Sequence, residues 1–365
     1  MTRLIFICII LFQCFSTIKA QEIDYSIIDI DTIPSTIIEK AENTELPFPK
    51  ENPLDAFNTK PIYFIDSLKS AQPNFILDSI FVEERVYSLG EDSIKVLIHW
   101  KSNNGLTYFN MHDDENICVQ EGLKILNNTG GKLIEVKHFD KLVDSARYIS
   151  FKKDNKIYTF DPNRIFSISD SIRAKTMIDR RRTYQSVQVL KSLPNAQIPS
   201  PSQCLEISKT IVKDFADTLI ALIDTNATEL LVALHNNKGF HDRCELSPTT
   251  KKWEIRNGSY SMNNYIRKGS IENQSCSDIY INPSHNLSGF FIVLKHSDFM
   301  HLVHDRCNAI LQNENPIDDA SLSVFAALHG IDYMNIEAKY NNTQEQILLL
   351  EKLEALWNKR QKNSN

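Results

Sequence analysis

The feature that most constrains the fold is an alternation of short apolar runs with longer helical segments between residues 74 and 365. The apolar runs are rich in β-branched and aromatic side chains, which favour strands. They span residues 93–100, 105–111, 132–138, 147–151, 156–160, 229–234, 290–294 and 332–336. Helical spacing covers residues 116–128, 205–222 and 343–360. This alternation predicts an α/β domain over residues 74–365, which ends in an amphipathic C-terminal helix.

The first 20 residues are typical of a secretory signal peptide. Arg3 supplies a positive charge, and residues 4–15 form an apolar stretch that is too short to span a bilayer. We therefore expect a secreted or periplasmic protein with no transmembrane segment after cleavage; the alternative is a buried helix or an uncleaved anchor. Lipid anchoring at Cys14 is disfavoured because the preceding residues, Leu-Phe-Gln, match the cleavage site of a lipoprotein poorly. Residues 21–73 are predicted to form an acidic, loosely ordered extension.

Composition and missing motifs exclude several classes of function. The formal net charge of -6 argues against a general nucleic-acid binder, which is usually basic. The chain has no C-x-x-C pair, which disfavours thiolate zinc sites and thioredoxin-like chemistry. It also has no G-x-S-x-G, Walker-type or G-x-G-x-x-G motif. Serine hydrolases, NTPases and dinucleotide-binding enzymes are therefore disfavoured.

Two of the predicted strands end in side chains that suit a metal ion. His112 and Glu115 form an H-x-x-E pair after the run 105–111, and this spacing lets an imidazole and a carboxylate meet one cation. His235 follows the run 229–234, at the long spacing typical of a third ligand in a catalytic zinc site. Ligand sites of α/β proteins gather at the carboxyl ends of strands. The alternatives are a chance occurrence of the H-x-x-E pattern and, for His235, a hydrogen-bonded structural role.

Two further strand ends carry polar groups. Asn163 and Arg164 lie on a proline-stiffened turn after the run 156–160, where they suit forked recognition of a carboxylate. Glu337 follows the run 332–336 and is a candidate general base for a metal-activated water. The plainer alternatives are a surface ion pair at Arg164 and a salt-bridged strand end at Glu337.

The order of these segments resembles the zinc carboxypeptidase superfamily, and most closely its succinylglutamate desuccinylase/aspartoacylase branch. Residues 161–166, Asp-Pro-Asn-Arg-Ile-Phe, are similar to the D-x-N-R-x-F segment of that branch. Residues 234–236, Leu-His-Asn, are similar to its D-L-H-N segment. The resemblance spans about residues 105–346, which is most of the chain that follows the predicted signal peptide.

The resemblance implies a fold, a cofactor and a set of roles. The fold is a mixed central β-sheet flanked by helices, and the cofactor is one Zn²⁺ per chain on His112, Glu115 and His235. The remaining implied roles are substrate binding by Asn163, Arg164 and Asn236, general-base catalysis by Glu337, and polarisation of the scissile carbonyl by Arg147. The chain departs from the branch at residues 112–115, which read His-Asp-Asp-Glu instead of His-Gly-Asn-Glu, and at Ala233, where an acidic residue is usual.

We therefore expect an exported zinc metallohydrolase that cleaves an amide bond near a free carboxylate. Its substrate would be a small peptide or an acylated amino acid, and the exported address favours peptides. The alternative is a non-catalytic relative that binds a peptide or an anionic ligand in the same pocket. A third possibility is a cell-surface interaction protein, in which the four segments would lie far apart in the fold.

Overall fold

The protein is described by a computed structural model over eleven stretches of the chain. These stretches are residues 80–102, 105–138, 147–181, 189–191, 193, 195–223, 230–237, 244–246, 253–255, 260–340 and 342–364. The predicted signal peptide and acidic extension, residues 1–73, lie outside the described residues. Within the described stretches, no helix combines the length and the apolar character that crossing a bilayer requires.

A mixed β-sheet forms the centre of the described structure. The strands are β1 (Phe81–Leu89), β2 (Asp92–Trp100), β3 (Leu106–Asn110), β4 (Gly131–Lys137), β5 (Ile149–Lys153), β6 (Lys156–Phe160), β7 (Leu231–Asn237), β8 (Cys244–Leu246), β9 (Trp253–Ile255), β10 (Cys276–Tyr280), β11 (Phe290–Val293), β12 (Ala309–Gln312) and β13 (Tyr333–Lys339). Among the described residues, nine strands pair in the order β1-β2-β4-β3-β7-β13-β11-β12-β10. The adjacent strands β4, β3, β7 and β13 are parallel, so their carboxyl ends lie at one edge of the sheet.

Helices cover both faces of this sheet. They are α1 (Asn116–Thr129), α2 (Asp170–Arg180), α3 (Pro201–Ile207), α4 (Lys213–Ile223), α5 (Met262–Ile266), α6 (Ile271–Gln274), α7 (His296–His304), α8 (Leu322–Leu328) and α9 (Thr343–Ser364). One apolar core lies under α2, α3, α4, α8 and the β5–β6 hairpin, and a second lies under α1, α7 and α9. The predicted α/β architecture with a mixed central sheet flanked by helices is confirmed.

Local sequence explains why the main elements form where they do. In α9, Leu349, Leu350, Leu353, Leu356 and Trp357 are buried on one face, which is the spacing of an amphipathic helix. The predicted helix 205–222 is present as α3 and α4, which a π-helical turn at Ser208–Val212 joins. At the outer edge of the sheet, β1 pairs only with β2 among the described strands and is largely exposed.

Gly131 allows β3 and β4 to approach each other at the end of α1. Its φ is +91°, and a β-carbon at this position would lie 2.0 Å from the carbonyl oxygen of Leu106. Gly330 also has a positive φ, of +65°, but a β-carbon there would meet no described atom within 4 Å. The two glycines therefore separate the cost of backbone conformation from the cost of steric overlap.

We predict that Gly330→Ala lowers the free energy of unfolding by about 1–2 kcal/mol, the cost of a left-handed non-glycine residue. Gly131→Ala should lower it by about 3 kcal/mol or more, because overlap with the β3 backbone is added to that cost. Urea unfolding followed by circular dichroism measures both. Equal losses in the two variants would contradict the close approach described at Gly131.

Candidate metal centre

Residues 112–115, here called the metal loop, connect β3 to α1. The amide of Glu115 donates to the carbonyl oxygen of His112 at 3.0 Å, which closes a tight turn and places both side chains on the same side. Each of these two residues is only 1% exposed. The H-x-x-E spacing thus produces the predicted convergence of an imidazole and a carboxylate.

His235 of β7 completes a cluster of three possible metal ligands. The Nδ1 atom of His112 lies 3.1 Å from Oε1 of Glu115, and the Nδ1 atom of His235 lies 3.2 Å from Oε2. One ligand atom from each residue lies within 4.8 Å of the others. These residues, predicted from positions 120 apart in the chain, are therefore brought together because β3 and β7 are parallel neighbours.

The donor set and its spacing fit a zinc ion. Tetrahedral zinc with bonds of about 2.0–2.1 Å needs ligand atoms about 3.3 Å apart. The imidazoles lie 3.1 Å from Oε1 and 3.2 Å from Oε2 of Glu115, and all three ligand atoms lie within 4.8 Å of one another. Burial lowers the pKa of His112, but the carboxylates of Glu115 and Asp161 outweigh it and raise that pKa to about 9. A position that stabilises a proton on the imidazole also favours a metal cation in place of that proton.

Asp161 orients the first of the two imidazoles. Its Oδ1 atom accepts from Nε2 of His112 at 2.9 Å and from the amide of Asn163 at 2.9 Å. A carboxylate on the far nitrogen of a histidine fixes the ring and directs its other nitrogen to the metal. Burial acts to raise the pKa of Asp161, but His112 and Arg147 hold it below its usual range.

The metal loop contains no glycine, and Asp113 holds it in position instead. Oδ1 of Asp113 accepts from Nζ of Lys137 at 2.7 Å, and Oδ2 accepts from the amide of His138 at 3.2 Å. Both partners lie at the carboxyl end of β4. The side chain of Asp113 therefore ties the loop to the neighbouring strand.

Lys137 connects this contact to a buried ion pair inside the sheet. Its Nζ atom lies 2.6 Å from Oε1 of Glu135, whose Oε2 lies 3.1 Å from Nε2 of His99 on β2. Burial acts to raise the pKa of Glu135, but His99 and Lys137 outweigh it and lower that pKa. A continuous chain of polar contacts thus runs from His99 on β2 through Glu135 and Lys137 on β4 to Asp113.

Arg147, for which the resemblance implies polarisation of the scissile carbonyl, contacts one of the possible metal ligands. Its Nη1 atom donates to Oε1 of Glu115 at 2.7 Å. Burial acts to raise the pKa of Glu115, but His112 and His235 outweigh it and keep the group ionised. The side chain of Arg147 is 31% exposed, so this residue contacts Glu115 and also reaches solvent.

Glu337 lies beside His235 on the neighbouring strand. The two residues are register partners in the parallel pair of β7 and β13, and Nδ2 of Asn335 donates to Oε1 of Glu337 at 2.9 Å. Burial and the charge of Glu115 raise the pKa of Glu337 above its usual range, against the opposing effect of His235. A buried carboxyl with a raised pKa is suited to accept and return a proton.

Asn163 and Arg164 lie in a short 3₁₀ turn, Pro162–Arg164, directly after β6. Nδ2 of Asn163 is 3.4 Å from Nε2 of His235, so this turn lies beside the three possible metal ligands. Nη1 of Arg164 donates to the carbonyl oxygen of Asn163 at 2.8 Å. Burial acts to lower the pKa of Arg164, but Asp319 and Asp161 raise it.

Asn236 is the one predicted site residue that the structure directs elsewhere. Successive side chains of a strand point to opposite faces, so Asn236 faces away from the side that His235 occupies. Its Nδ2 atom donates to Oε1 of Gln346 in α9 at 3.0 Å. Its contact is therefore with the helical layer on the other face of the sheet.

Three side chains at the site were not assigned a role from the sequence. Asp161 was part of a recognised segment, and its position before a Pro-Asn-Arg turn was the only signal for it. The roles of Asp113 and Lys137 depend on contact between different elements, which a spacing pattern does not reveal.

No protein-family model, curated protein or solved structure matches this chain. The resemblance to the zinc carboxypeptidase superfamily therefore stays a prediction that rests on the motifs quoted above.

We predict that Lys137→Met weakens zinc binding about tenfold, the low end of the usual cost of losing a group that orients metal ligands, because Lys137 acts on the loop through Asp113. Arg360→Met is a matched control. Arg360 lies on α9 and, like Lys137, bridges two carboxylates, those of Asp298 and Asp332. The two cations have similar exposures, 25% for Lys137 and 19% for Arg360. Competition with a chromophoric chelator measures affinity, and circular dichroism checks folding. Equal affinities in the two variants would count against the anchoring role of Lys137.

Proposed function

We propose that this chain is an exported zinc-dependent hydrolase of zinc carboxypeptidase-like fold, which cleaves an amide bond near a free carboxylate. The observation that carries the proposal is the convergence of His112, Glu115 and His235 within 4.8 Å. Glu337 supports it, because this buried carboxyl lies beside His235 on the next strand. Export is proposed from the character of residues 1–20 alone.

The three ligands supply the set that catalytic zinc sites use, two imidazoles and a carboxylate with a fourth position left for water or substrate. When bound, zinc would lower the pKa of a water molecule towards about 7 and polarise the scissile carbonyl. The protein supplies the orientation of these ligands. Asp161 fixes the ring of His112, and Asp113 with Lys137 fixes the backbone of the metal loop.

Glu337 would move the proton in this reaction. Because Asn335 donates to Oε1 of Glu337, Oε2 is the oxygen that would take a proton from the attacking water and return it to the leaving nitrogen. The raised pKa of Glu337 brings it closer to the pKa of the activated water, which favours transfer in both directions.

Two arginines would bind and polarise the substrate. Arg164 presents a planar fork for a carboxylate, and Asn163 lies between this fork and His235. Arg147 places a positive charge next to the ligand set, where it would stabilise negative charge that develops on the carbonyl oxygen. The carboxylate of the substrate and its scissile bond would thus be held at opposite sides of Asn163.

We predict that Glu337→Gln lowers kcat about 10²- to 10⁴-fold, the usual contribution of a general acid–base group, and leaves one zinc ion per chain. His235→Ala should lose both the metal and the activity. Elemental analysis after dialysis measures zinc, and a panel of acylated amino acids and dipeptides measures turnover. Full turnover by Glu337→Gln would refute the role of this glutamate. If the wild-type chain binds the acylated amino acids or dipeptides without stoichiometric zinc, the alternative, a non-catalytic binding protein, would be supported instead.

A further inference from the structure

The loop before α8 is hydrogen-bonded to the segment that carries Asn163 and Arg164. The contacts join the amide of Leu322 to Oδ1 of Asn163 (3.1 Å), the amide of Phe166 to the carbonyl oxygen of Ala320 (3.0 Å), and Oγ of Ser167 to Oδ2 of Asp318 (2.6 Å). The position of this loop relative to Arg164 is therefore fixed by contacts that do not involve Asp319.

Asp319 lies in this loop and faces Arg164, the residue proposed to bind the carboxylate of the substrate. Its Oδ1 atom accepts from the amide of Ser321 at 2.9 Å, and its Oδ2 atom lies 3.6 Å from Nη2 of Arg164. That separation is too long for a direct hydrogen bond. The two side chains are 24% and 28% exposed, so a ligand can reach both.

A carboxylate next to a carboxylate-binding arginine changes which ligand fits best. A ligand that carries only a carboxylate would be attracted by Arg164 and repelled by Asp319. A ligand that carries an ammonium and a carboxylate on one carbon would pair with both groups. Asp319 therefore selects for the second kind of ligand and against the first.

Building on the proposed function, we propose that the site takes substrates with a free α-amino acid head group, whose α-carboxylate binds Arg164 and whose α-ammonium binds Asp319. An α-nitrogen within the scissile amide would carry no charge for Asp319 to bind. The scissile amide therefore belongs to the side chain of that amino acid. Hydrolysis breaks its C–N bond, adds the hydroxyl of water to the acyl carbon and adds the proton to the nitrogen.

The experiment compares ligand pairs that differ only in the α-amino group. The pairs are Nε-acetyl-lysine with 6-acetamidohexanoate, Nδ-acetyl-ornithine with 5-acetamidopentanoate, and Nδ-methylglutamine with N-methylglutaramate. Calorimetry on the zinc-loaded full chain carrying Glu337→Gln measures binding without turnover. In at least one pair, the amino acid should bind about tenfold more tightly or better, as expected for a charged hydrogen bond. The inference is overturned if no pair shows this preference, including the case in which neither member binds.

Two further substitutions, each made in the Glu337→Gln chain, test whether Asp319 causes the preference for ligands that carry an α-amino group. Asp319→Asn keeps an acceptor for the amide of Ser321 but removes the charge, so it should abolish the preference and strengthen binding of the des-amino ligands. Asp318→Asn is the matched control, because Asp318 lies in the same loop and contacts Ser167 instead of Arg164. A preference that survives Asp319→Asn, or that Asp318→Asn removes equally, overturns the assignment to Asp319.

Hydrolysis of the same pairs by the wild-type chain keeps the two proposals distinguishable. Selective binding without any hydrolysis would support the head-group site and refute the hydrolase. Hydrolysis of both members of each pair at similar rates would support the hydrolase and refute the head-group site.

Discussion

The carboxylate of Glu115 organises the centre of the molecule, because side chains from three parts of the chain meet on it. Oε1 is contacted by His112 and Arg147, and Oε2 by His235. A buried carboxylate without such partners would be costly to desolvate. One charge therefore holds together the end of β3, the end of β7 and the chain that enters β5. The same arrangement presents two imidazole nitrogens and an oxygen to one point in space.

Elements with a strong apolar pattern could be predicted from the sequence, and elements at the edges of the sheet could not. The helix expected at residues 116–128 is α1, and the C-terminal amphipathic helix is α9. By contrast, the edge strand β1 is mostly exposed, and the opposite edge strand β10 is only partly buried, so neither produces an apolar run. Sequence patterns record burial, so an element that is exposed or very short leaves little signal.

The candidate site divides along a similar line. His112, Glu115 and His235 could be identified because each follows an apolar run of the sequence, and the parallel neighbours β3 and β7 bring the ends of these runs together. Asp161 acts through an imidazole 49 residues away, and no local pattern encodes that contact. Adjacency in sequence was misleading for Asn236, because strand geometry directs neighbouring side chains to opposite faces.

The charges on the edge strand β1 affect whether two molecules can associate through their sheets. The exposed edge strand β1 carries Glu83, Glu84 and Arg85 in succession, and Lys95 of β2 lies 2.8 Å from Glu84. Among the described strands, β1 has a neighbour on one side only, and a backbone that approached its other side would have to displace water from these charges before it could pair. These charges therefore oppose pairing of β1 with a strand of a second molecule, and at high protein concentration they would limit growth of a continuous intermolecular sheet.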